Sequence, residues 1–474
     1  MDVLRLPIIG AVLRWRHIRL SLQLVMLVVA GSLVLHGLFG PQIAPRNLST
    51  VLTSIHWRGL LVIGLLMVGN VFCTACPMVL ARDAGRRLVG PRFSWPRRLR
   101  RKWIGILLLV AVLFSYELFD IWALPAATAW LIVGYFSVAM LVDLVFKGAS
   151  FCKYVCPIGQ FNFISSTMSP LEVRVRSMDV CRGCRTSDCI KGQRSALQPL
   201  HVTRRGCELG LFLPAKAGNL DCTLCLDCVH ACPHDNVAVS TRVPGVELLD
   251  ARRRSGVGRL LQRPDLAVLT VMFTFGALVN AFAMTAPASA LERTLASLLH
   301  VQSEAPILAF LFFLALVVIP AALLLASAAI TRVLTRESGR PVRVTAQRFA
   351  FALVPFGFGV WLAHYGFHLL TGMLTVVPVT QSAAIDLFGW AVLGDPLWRW
   401  AGLQPGSVYV LQLGFVILGA CGSMGLMHAT SSRDYPDRPA IAAAPWLFAV
   451  SALAIAALWI LSQPMDMRGL GGVG

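Results

Sequence analysis

Long apolar runs alternate with short polar connections along most of the chain. The runs fall near residues 20–40, 59–76, 103–123, 126–146, 266–288, 307–331, 349–374, 407–429 and 442–462. Each run approaches the roughly 20 residues that an α-helix needs to cross about 30 Å of hydrocarbon. The pattern therefore predicts an α-helical integral membrane protein with about nine transmembrane helices.

One long polar stretch interrupts this pattern. Residues 148–264 contain no apolar run of membrane-spanning length, and the stretch is large enough to form a domain of its own. The predicted organisation has three parts. An N-terminal membrane half of four helices covers 1–147, the inserted domain covers 148–264, and a C-terminal membrane half of five helices covers 265–474.

Composition and charge narrow the class of protein and predict its orientation. With 57% hydrophobic and 14% charged residues, the chain has too little polar surface for a soluble or disordered protein. Its net charge of +19 follows from topology and does not indicate nucleic-acid binding. Alternate sides of the predicted helices carry 37 and 5 Lys and Arg residues, or 20 and 5 when the long stretch 147–263 is left out. The five on the outer side are Arg46, Arg58, Arg293, Arg399 and Arg468. The positive-inside rule then places the N-terminus and the inserted domain in the cytoplasm and the C-terminus in the periplasm, across the cytoplasmic (inner) membrane of the cell.

Cysteine spacing carries the strongest chemical signal. Twelve of the 13 cysteines form short groups between positions 73 and 232. The group Cys222, Cys225, Cys228 and Cys232, with Pro233 next, has the C-x2-C-x2-C-x3-C-P spacing of bacterial ferredoxins. In such a loop three thiolates bind one 4Fe–4S cluster and the fourth binds a second cluster. A structural zinc site is the alternative, but it favours two separated pairs of cysteines.

A second cysteine group lies upstream. It is expected because the fourth thiolate binds a second cluster, which needs further ligands. Cys181, Cys184 and Cys189 form a stretched version of the same motif, and 17 residues separate Cys189 from Cys207. If the ligands cross over as in two-cluster ferredoxins, each cluster has four ligands. The first set is Cys181, Cys184, Cys189 and Cys232, and the second is Cys207, Cys222, Cys225 and Cys228.

Two further cysteine pairs stand at the cytoplasmic ends of the second and fourth predicted helices. They are Cys73 and Cys76, and Cys152 and Cys156, and a proline follows each pair. Together they offer the four soft ligands of a third 4Fe–4S cluster. Redox-active dithiols and unligated thiols are the other interpretations.

Membrane helices, a Cys-x3-Cys-Pro element and a cytoplasmic ferredoxin domain resemble the NapH/NosR/CcoG-like membrane polyferredoxins. Cys152, Cys156 and Pro157 match one family motif, and the group from Cys222 to Pro233 matches another. Cys73 and Cys76 correspond to an earlier copy that is one residue longer in the family. The resemblance covers about residues 18–240 and implies electron supply to, or maturation of, metalloenzymes in the membrane or periplasm.

Ionisable residues inside a membrane helix are candidates for a functional site. His364 and His368 are four residues apart in the seventh predicted helix, so they share one helical face. They could border a quinone or other small-molecule pocket near the outer face, ligate haem with a partner such as His36 or His428, or bond neighbouring helices. Haem is the least favoured of these interpretations.

These features favour a membrane-bound iron–sulfur protein that passes single electrons. The donor would be cytoplasmic or a quinone, and the acceptor a redox protein in or beyond the membrane. Such a chain could serve as the electron-transfer subunit of a quinol dehydrogenase. The alternative is an assembly factor or transporter for a metalloenzyme, in which the clusters sense or reduce the metal. The expected contacts are redox proteins, membrane lipid and quinone, and no nucleic acid.

Overall fold

The computed structural model divides the chain into two compact units. It describes residues 1–88, 90–194, 202–250, 252–337 and 339–465. Unit 1 comprises Met1–Ala30, Gly64–Gly105 and Gly134–Asp265. Unit 2 comprises Gly31–Ile63, Ile106–Val133 and Leu266–Gly474.

Helices long and apolar enough to cross a membrane dominate the fold. Within the described ranges there are eight of them: Ile18–Phe39, Leu48–Met67, Pro125–Val145, Pro264–Ala283, Glu304–Thr335, Val342–Gly372, Pro405–Asp434 and Pro439–Ser462. A shorter apolar helix, Trp103–Leu118, falls in the run predicted as the third span. Its 16 residues rise about 24 Å. The chain is thus a multi-pass helical membrane protein.

The second predicted span is wrong at both ends. The run 59–76 predicts a helix there, but the helix is Leu48–Met67. It starts early because the Asn47 side chain caps it by accepting a backbone N–H of the first turn. It ends before Gly69, whose φ of +103° is incompatible with a continuing helix. Consequently Arg58, assigned from the sequence to an outer loop, lies inside an apolar helix.

The remaining helices are shorter and connect these spans or belong to the polar insert. The α-helices among them are Pro7–Arg14, Val71–Ala75, Met78–Leu88, Pro157–Ser165, Met178–Gly183, Asp188–Lys191, Asp227–Ala231, Ala286–Leu299 and Val376–Phe388.

Four short strands form two antiparallel ladders in unit 1. They are β1 (Leu171–Val175), β2 (Gln193–Arg194), β3 (Val202–Arg204) and β4 (Val237–Thr241). β1 pairs with β4 in a register that sets Leu171 opposite Thr241 and Val175 opposite Val237. β2 pairs with β3. The register of β1 and β4 brings the chain just after β1 and the chain just before β4 to the same end of the ladder.

A small apolar core holds this ladder in place. Val173, Val237 and Val239 of the two strands are each 2% exposed and pack with Leu4 and Leu213. Burying a branched aliphatic side chain of this kind contributes about 1.5–3 kcal/mol. The core therefore fixes β1 and β4, and the cysteine groups of the insert lie in the chain between these two strands.

In unit 2 the central element is the helix Val354–Gly372, most of whose side chains are buried. Small residues allow its close packing, since a Cβ on Gly359 would stand 2.5 Å from the Phe415 carbonyl oxygen. Buried polar groups hold its register, as where Trp361 Nε1 donates to the Phe273 carbonyl at 2.9 Å. The helix that carries His364 and His368 is thus fixed on every side.

Candidate functional site

The twelve grouped cysteines fall into three spatial sets of four, all within unit 1. Members of each set interact electrostatically with one another. Quartet A is Cys181, Cys184, Cys189 and Cys232. Quartet B is Cys207, Cys222, Cys225 and Cys228. Quartet C is Cys73, Cys76, Cys152 and Cys156.

Quartet A lines one pocket beside the end of the β1 and β4 ladder. Cys181 follows β1 and Cys232 precedes β4, so the strand register brings these distant positions together. Asn236 connects them, because its side-chain amide donates to Cys181 Sγ at 3.3 Å and its backbone N–H donates to Cys232 Sγ at 3.4 Å. Burial and the neighbouring thiolates raise the pKa of Cys189 to about 11.

Quartet B is more deeply enclosed. Burial, followed by the charges of Cys225, Cys222 and Cys207, raises the pKa of the Cys228 thiol well above its usual value. Cys207 reaches this group from outside the 222–228 loop, and its Sγ accepts a hydrogen bond from the Leu211 N–H at 3.4 Å.

Backbone strain marks the loop that carries quartet B. Asp221, Leu224 and Leu226 have positive φ values of 64°, 54° and 60°. This conformation costs a residue with a side chain about 1–2 kcal/mol. Such strain is concentrated at functional sites, where the surroundings hold the backbone in place. The loop is therefore shaped to turn its cysteines inward.

Quartet C is built from two short helical segments and the extended residues that follow them. Cys73 lies in the helix Val71–Ala75, and Cys76 follows it with ψ of 118°. Cys152 lies in a single π-helical turn, and Cys156 caps the helix Pro157–Ser165 by accepting the Gly159 N–H at 3.0 Å. The pairs thus lie beside helix termini, and neither pair lies on a continuous membrane helix.

Hydrogen-bond donors surround the sulfurs of quartet C. The Tyr135 hydroxyl lies 2.7 Å from Cys156 Sγ, and Asn162 Nδ2 donates to Cys73 Sγ at 3.4 Å. Burial, and then the Cys156 charge, raises the pKa of Cys73 to about 12. Sequence analysis missed Tyr135 and Asn162, because no local motif relates either residue to a cysteine.

Hydrogen bonds to backbone carbonyls connect quartet C with quartet B, and quartet B with quartet A. Thr74, between the first two cysteines of quartet C, donates from its hydroxyl to the Thr223 carbonyl of the quartet B loop at 2.6 Å. The Cys207 N–H of quartet B donates to the Cys189 carbonyl of quartet A at 2.9 Å. The order of the sites within unit 1 is therefore A, B and C.

The donor sets suit iron–sulfur clusters. Each quartet offers four thiols, the soft ligands that such clusters use. A single zinc ion would hold its sulfurs at about 2.3 Å. Across the described ranges, no three His, Cys, Asp or Glu side chains converge as ligands of one metal ion.

In unit 2, His364 and His368 lie side by side, with His364 1% exposed and His368 half-buried. Their ring centroids are 4.9 Å apart, and neither Nε2 atom has a partner within the described residues. Arg58 lies over the rings of Tyr116 and Tyr365, at 4.7 and 5.6 Å. Sequence analysis missed Arg58 because the apolar run was started one residue after it.

His36 does not join this pair. Its Nδ1 accepts the Leu48 N–H at 2.9 Å, and its Nε2 lies 3.1 Å from an Asp386 carboxylate oxygen. Both ring nitrogens are thus engaged, which leaves neither for a metal. The interpretation of His36 as a haem ligand has no support from this geometry.

Comparison with known proteins adds an independent observation. The chain is similar to a ferredoxin-type protein. This relative, the ferredoxin-type protein NapH of Haemophilus influenzae, is 26% identical over 219 residues, which cover 42% of this chain and 72% of the relative. No protein-family model matches the chain, and no solved structure matches it. The likeness supports the resemblance to NapH-like membrane polyferredoxins.

Proposed function

We propose that this protein is a membrane-bound carrier of single electrons that holds three 4Fe–4S clusters, one in each cysteine quartet. The observation that carries the proposal is the sorting of twelve cysteines into three groups of four. In quartet A, Cys181 and Cys232 are 51 positions apart and meet because the β1 and β4 ladder closes the insert. The similarity to a ferredoxin-type protein supports the same chemistry.

A 4Fe–4S cluster supplies reversible one-electron transfer when bound, and the chain determines its surroundings. Quartet A is partly exposed, and exposed Arg185 and Thr186 flank Cys184. A soluble redox partner could therefore reach quartet A. Tyr135 and Asn162 would hydrogen-bond to sulfur at quartet C, an interaction that tunes reduction potential.

The proposed topology places quartets A and B in the cytoplasm and quartet C at the cytoplasmic surface of the inner membrane. It rests on the excess of Lys and Arg on that side of the predicted helices. The proposed electron acceptor is a redox partner in or beyond the membrane. A reporter fused at residue 216 that proved extracytoplasmic would contradict this orientation.

The proposed electron donor is a quinol that binds beside His364 and His368. Two buried imidazole Nε2 atoms without partners are costly in a membrane interior unless a ligand satisfies them. A quinol hydroxyl can donate to such a nitrogen, and an imidazole can accept its proton on oxidation. His428, which is exposed on the helix Pro405–Asp434, provides a matched control.

Iron analysis and EPR spectroscopy of the anaerobically purified protein test the number of clusters. Three cubanes require about twelve irons per chain, whereas quartets A and B alone require about eight. Cys225→Ala should remove one EPR signal, and Cys152→Ala should remove another. Cys421→Ala is the control, since this cysteine is exposed and belongs to none of the quartets.

Two results would refute the proposal. Zinc without iron in the purified protein would exclude an electron carrier. A full iron complement with no response to quinol, together with a metal-loading defect in a partner enzyme, would favour the assembly factor or transporter instead.

A further inference from the structure

A little-exposed arginine lies beside quartet C. Arg82 belongs to the helix Met78–Leu88, and its side chain is 3% exposed. Its guanidinium donates to both carboxylate oxygens of Glu208, at 2.8 Å each. It also interacts electrostatically with the thiols of Cys76 and Cys152. Arg82 thus places a fixed positive charge next to two members of quartet C.

A second arginine has the same relation to quartet B. The Arg19 side chain is 14% exposed and donates a hydrogen bond to the Asp227 carboxylate. Its guanidinium also lies 3.5 Å from Glu208 and interacts with the Cys225 thiol and, less strongly than Arg82, with the Cys76 thiol of quartet C. Both arginines therefore share Glu208, and we call Arg82, Glu208 and Arg19 the ionic chain.

Stability alone is a weak reason for this arrangement. Ion pairs with little solvent exposure pay a desolvation cost that often equals their mutual attraction. Glu208 follows Cys207, so the shared carboxylate of the ionic chain also stands next to a cysteine of quartet B. Each charge of the ionic chain is thus placed where it acts on sulfur, and a low local dielectric strengthens that action.

We infer that Arg82 and Arg19 are positioning residues that set the reduction potentials of clusters at quartets C and B, Arg82 chiefly at quartet C and Arg19 chiefly at quartet B, with Glu208 opposing both. This inference rests on the proposed function. Uptake of one electron adds one negative charge to a cluster and breaks no bond. A nearby guanidinium stabilises the added charge and raises the potential, whereas a carboxylate lowers it.

Redox titration with dithionite, followed by EPR, tests the inference on the full-length protein. Arg82→Gln should lower the midpoint potential of the signal that Cys152→Ala removes, with little effect on the signal that Cys225→Ala removes. Arg19→Gln should lower the potential of the signal that Cys225→Ala removes more than that of the signal that Cys152→Ala removes. Glu208→Gln should raise both potentials.

Arg205→Gln is the matched control. Arg205 contacts Asp83 and lies 3.5 Å from Glu208, but its side chain is 47% exposed, so solvent screens its charge. Its loss should move either potential less than the loss of Arg82 or Arg19. Arg82→Lys keeps the charge and should preserve the potential. If Arg82→Gln loses iron, Glu208→Gln still gives a shift of predicted sign.

Several outcomes would overturn the inference without touching the proposed function. Equal shifts in Arg82→Gln and Arg205→Gln would show that position beside quartet C is unimportant. A fall in potential in Glu208→Gln would contradict the sign of the argument. A wild-type protein with about eight irons would instead refute the third cluster, and with it the role of Arg82, while Arg19→Gln still tests quartet B.

Discussion

Lys102 is a buried lysine whose replacement by methionine should loosen the quartet B loop. It is 1% exposed, and its Nζ donates to Asp221 Oδ1 at 2.6 Å and to the Lys153 carbonyl at 2.7 Å. The ammonium also lies 4.9 Å from the centre of the Phe163 ring. Asp221 directly precedes Cys222, so the pair anchors the start of the strained loop.

The magnitude follows from leaving Asp221 without its partner. The Asp221 side chain is 2% exposed, and Lys102→Met would leave its charge buried and unpaired. Breaking a buried ion pair in this way costs about 3–5 kcal/mol. Since about 1.4 kcal/mol corresponds to a factor of ten, the loop should open roughly 100-fold more often or more.

Hydrogen–deuterium exchange of the peptide that contains Cys222 to Cys232 measures this opening. Lys153→Met is the control, because Lys153 Nζ donates to the Leu209 carbonyl, at 2.7 Å, and forms no ion pair with a carboxylate in the part of the chain that the structure describes. A bond of that kind contributes about 0.5–1.5 kcal/mol. Protection lost equally in the two variants would refute the reasoning.

A double variant separates the lost partner from lost packing. Lys102→Met with Asp221→Asn removes both charges, so much of the protection should return. Asparagine is chosen because the φ of 64° at Asp221 is a conformation that asparagine tolerates. If the double variant exchanged faster than Lys102→Met, the unpaired carboxylate would not be the cause.

Further predictions concern acid stability, thiol reactivity and quinol oxidation. Although burial acts to raise it, the pKa of Glu208 is lowered from 4.5 to about 2 by its arginine partners. Ionised Glu208 therefore stabilises the folded protein fully above about pH 4.5, and this stabilisation is lost as the pH falls towards 2. In that pH range the melting temperature of the wild type should fall to that of Glu208→Gln. After chelation of iron, iodoacetamide should label Cys184 before Cys73. Backbone hydrogen bonds lower the pKa of Cys184, whereas burial raises the pKa of Cys73 to about 12. Equal labelling rates would contradict this order. Replacing His364 and His368 together by alanine should slow cluster reduction by quinol at least tenfold, and unchanged kinetics would argue against a site there. The reduced-minus-oxidised spectrum of the wild type should show no b-type haem band.

Much of the architecture was predictable from the sequence because the membrane imposes a simple length rule. Apolar runs of about 20 residues located most spans to within a few positions. The second span failed because polar residues around His56 are buried in the helix, so hydropathy alone did not include the turns before Gly59. The same error assigned Arg58 to a loop.

The sequence by itself determined the type and number of the candidate ligands, because both can be read from the spacing of the cysteines. It could not decide what surrounds the sulfurs. Tyr135 and Asn162 contact quartet C, and Arg82 contacts Glu208, which is 126 positions away in the sequence. No local sequence pattern predicts these contacts. Those neighbours follow from strand register and helix termini, which depend on packing between distant segments. Ligand identity is thus local information, whereas the electrostatic environment of each site is a property of the tertiary structure.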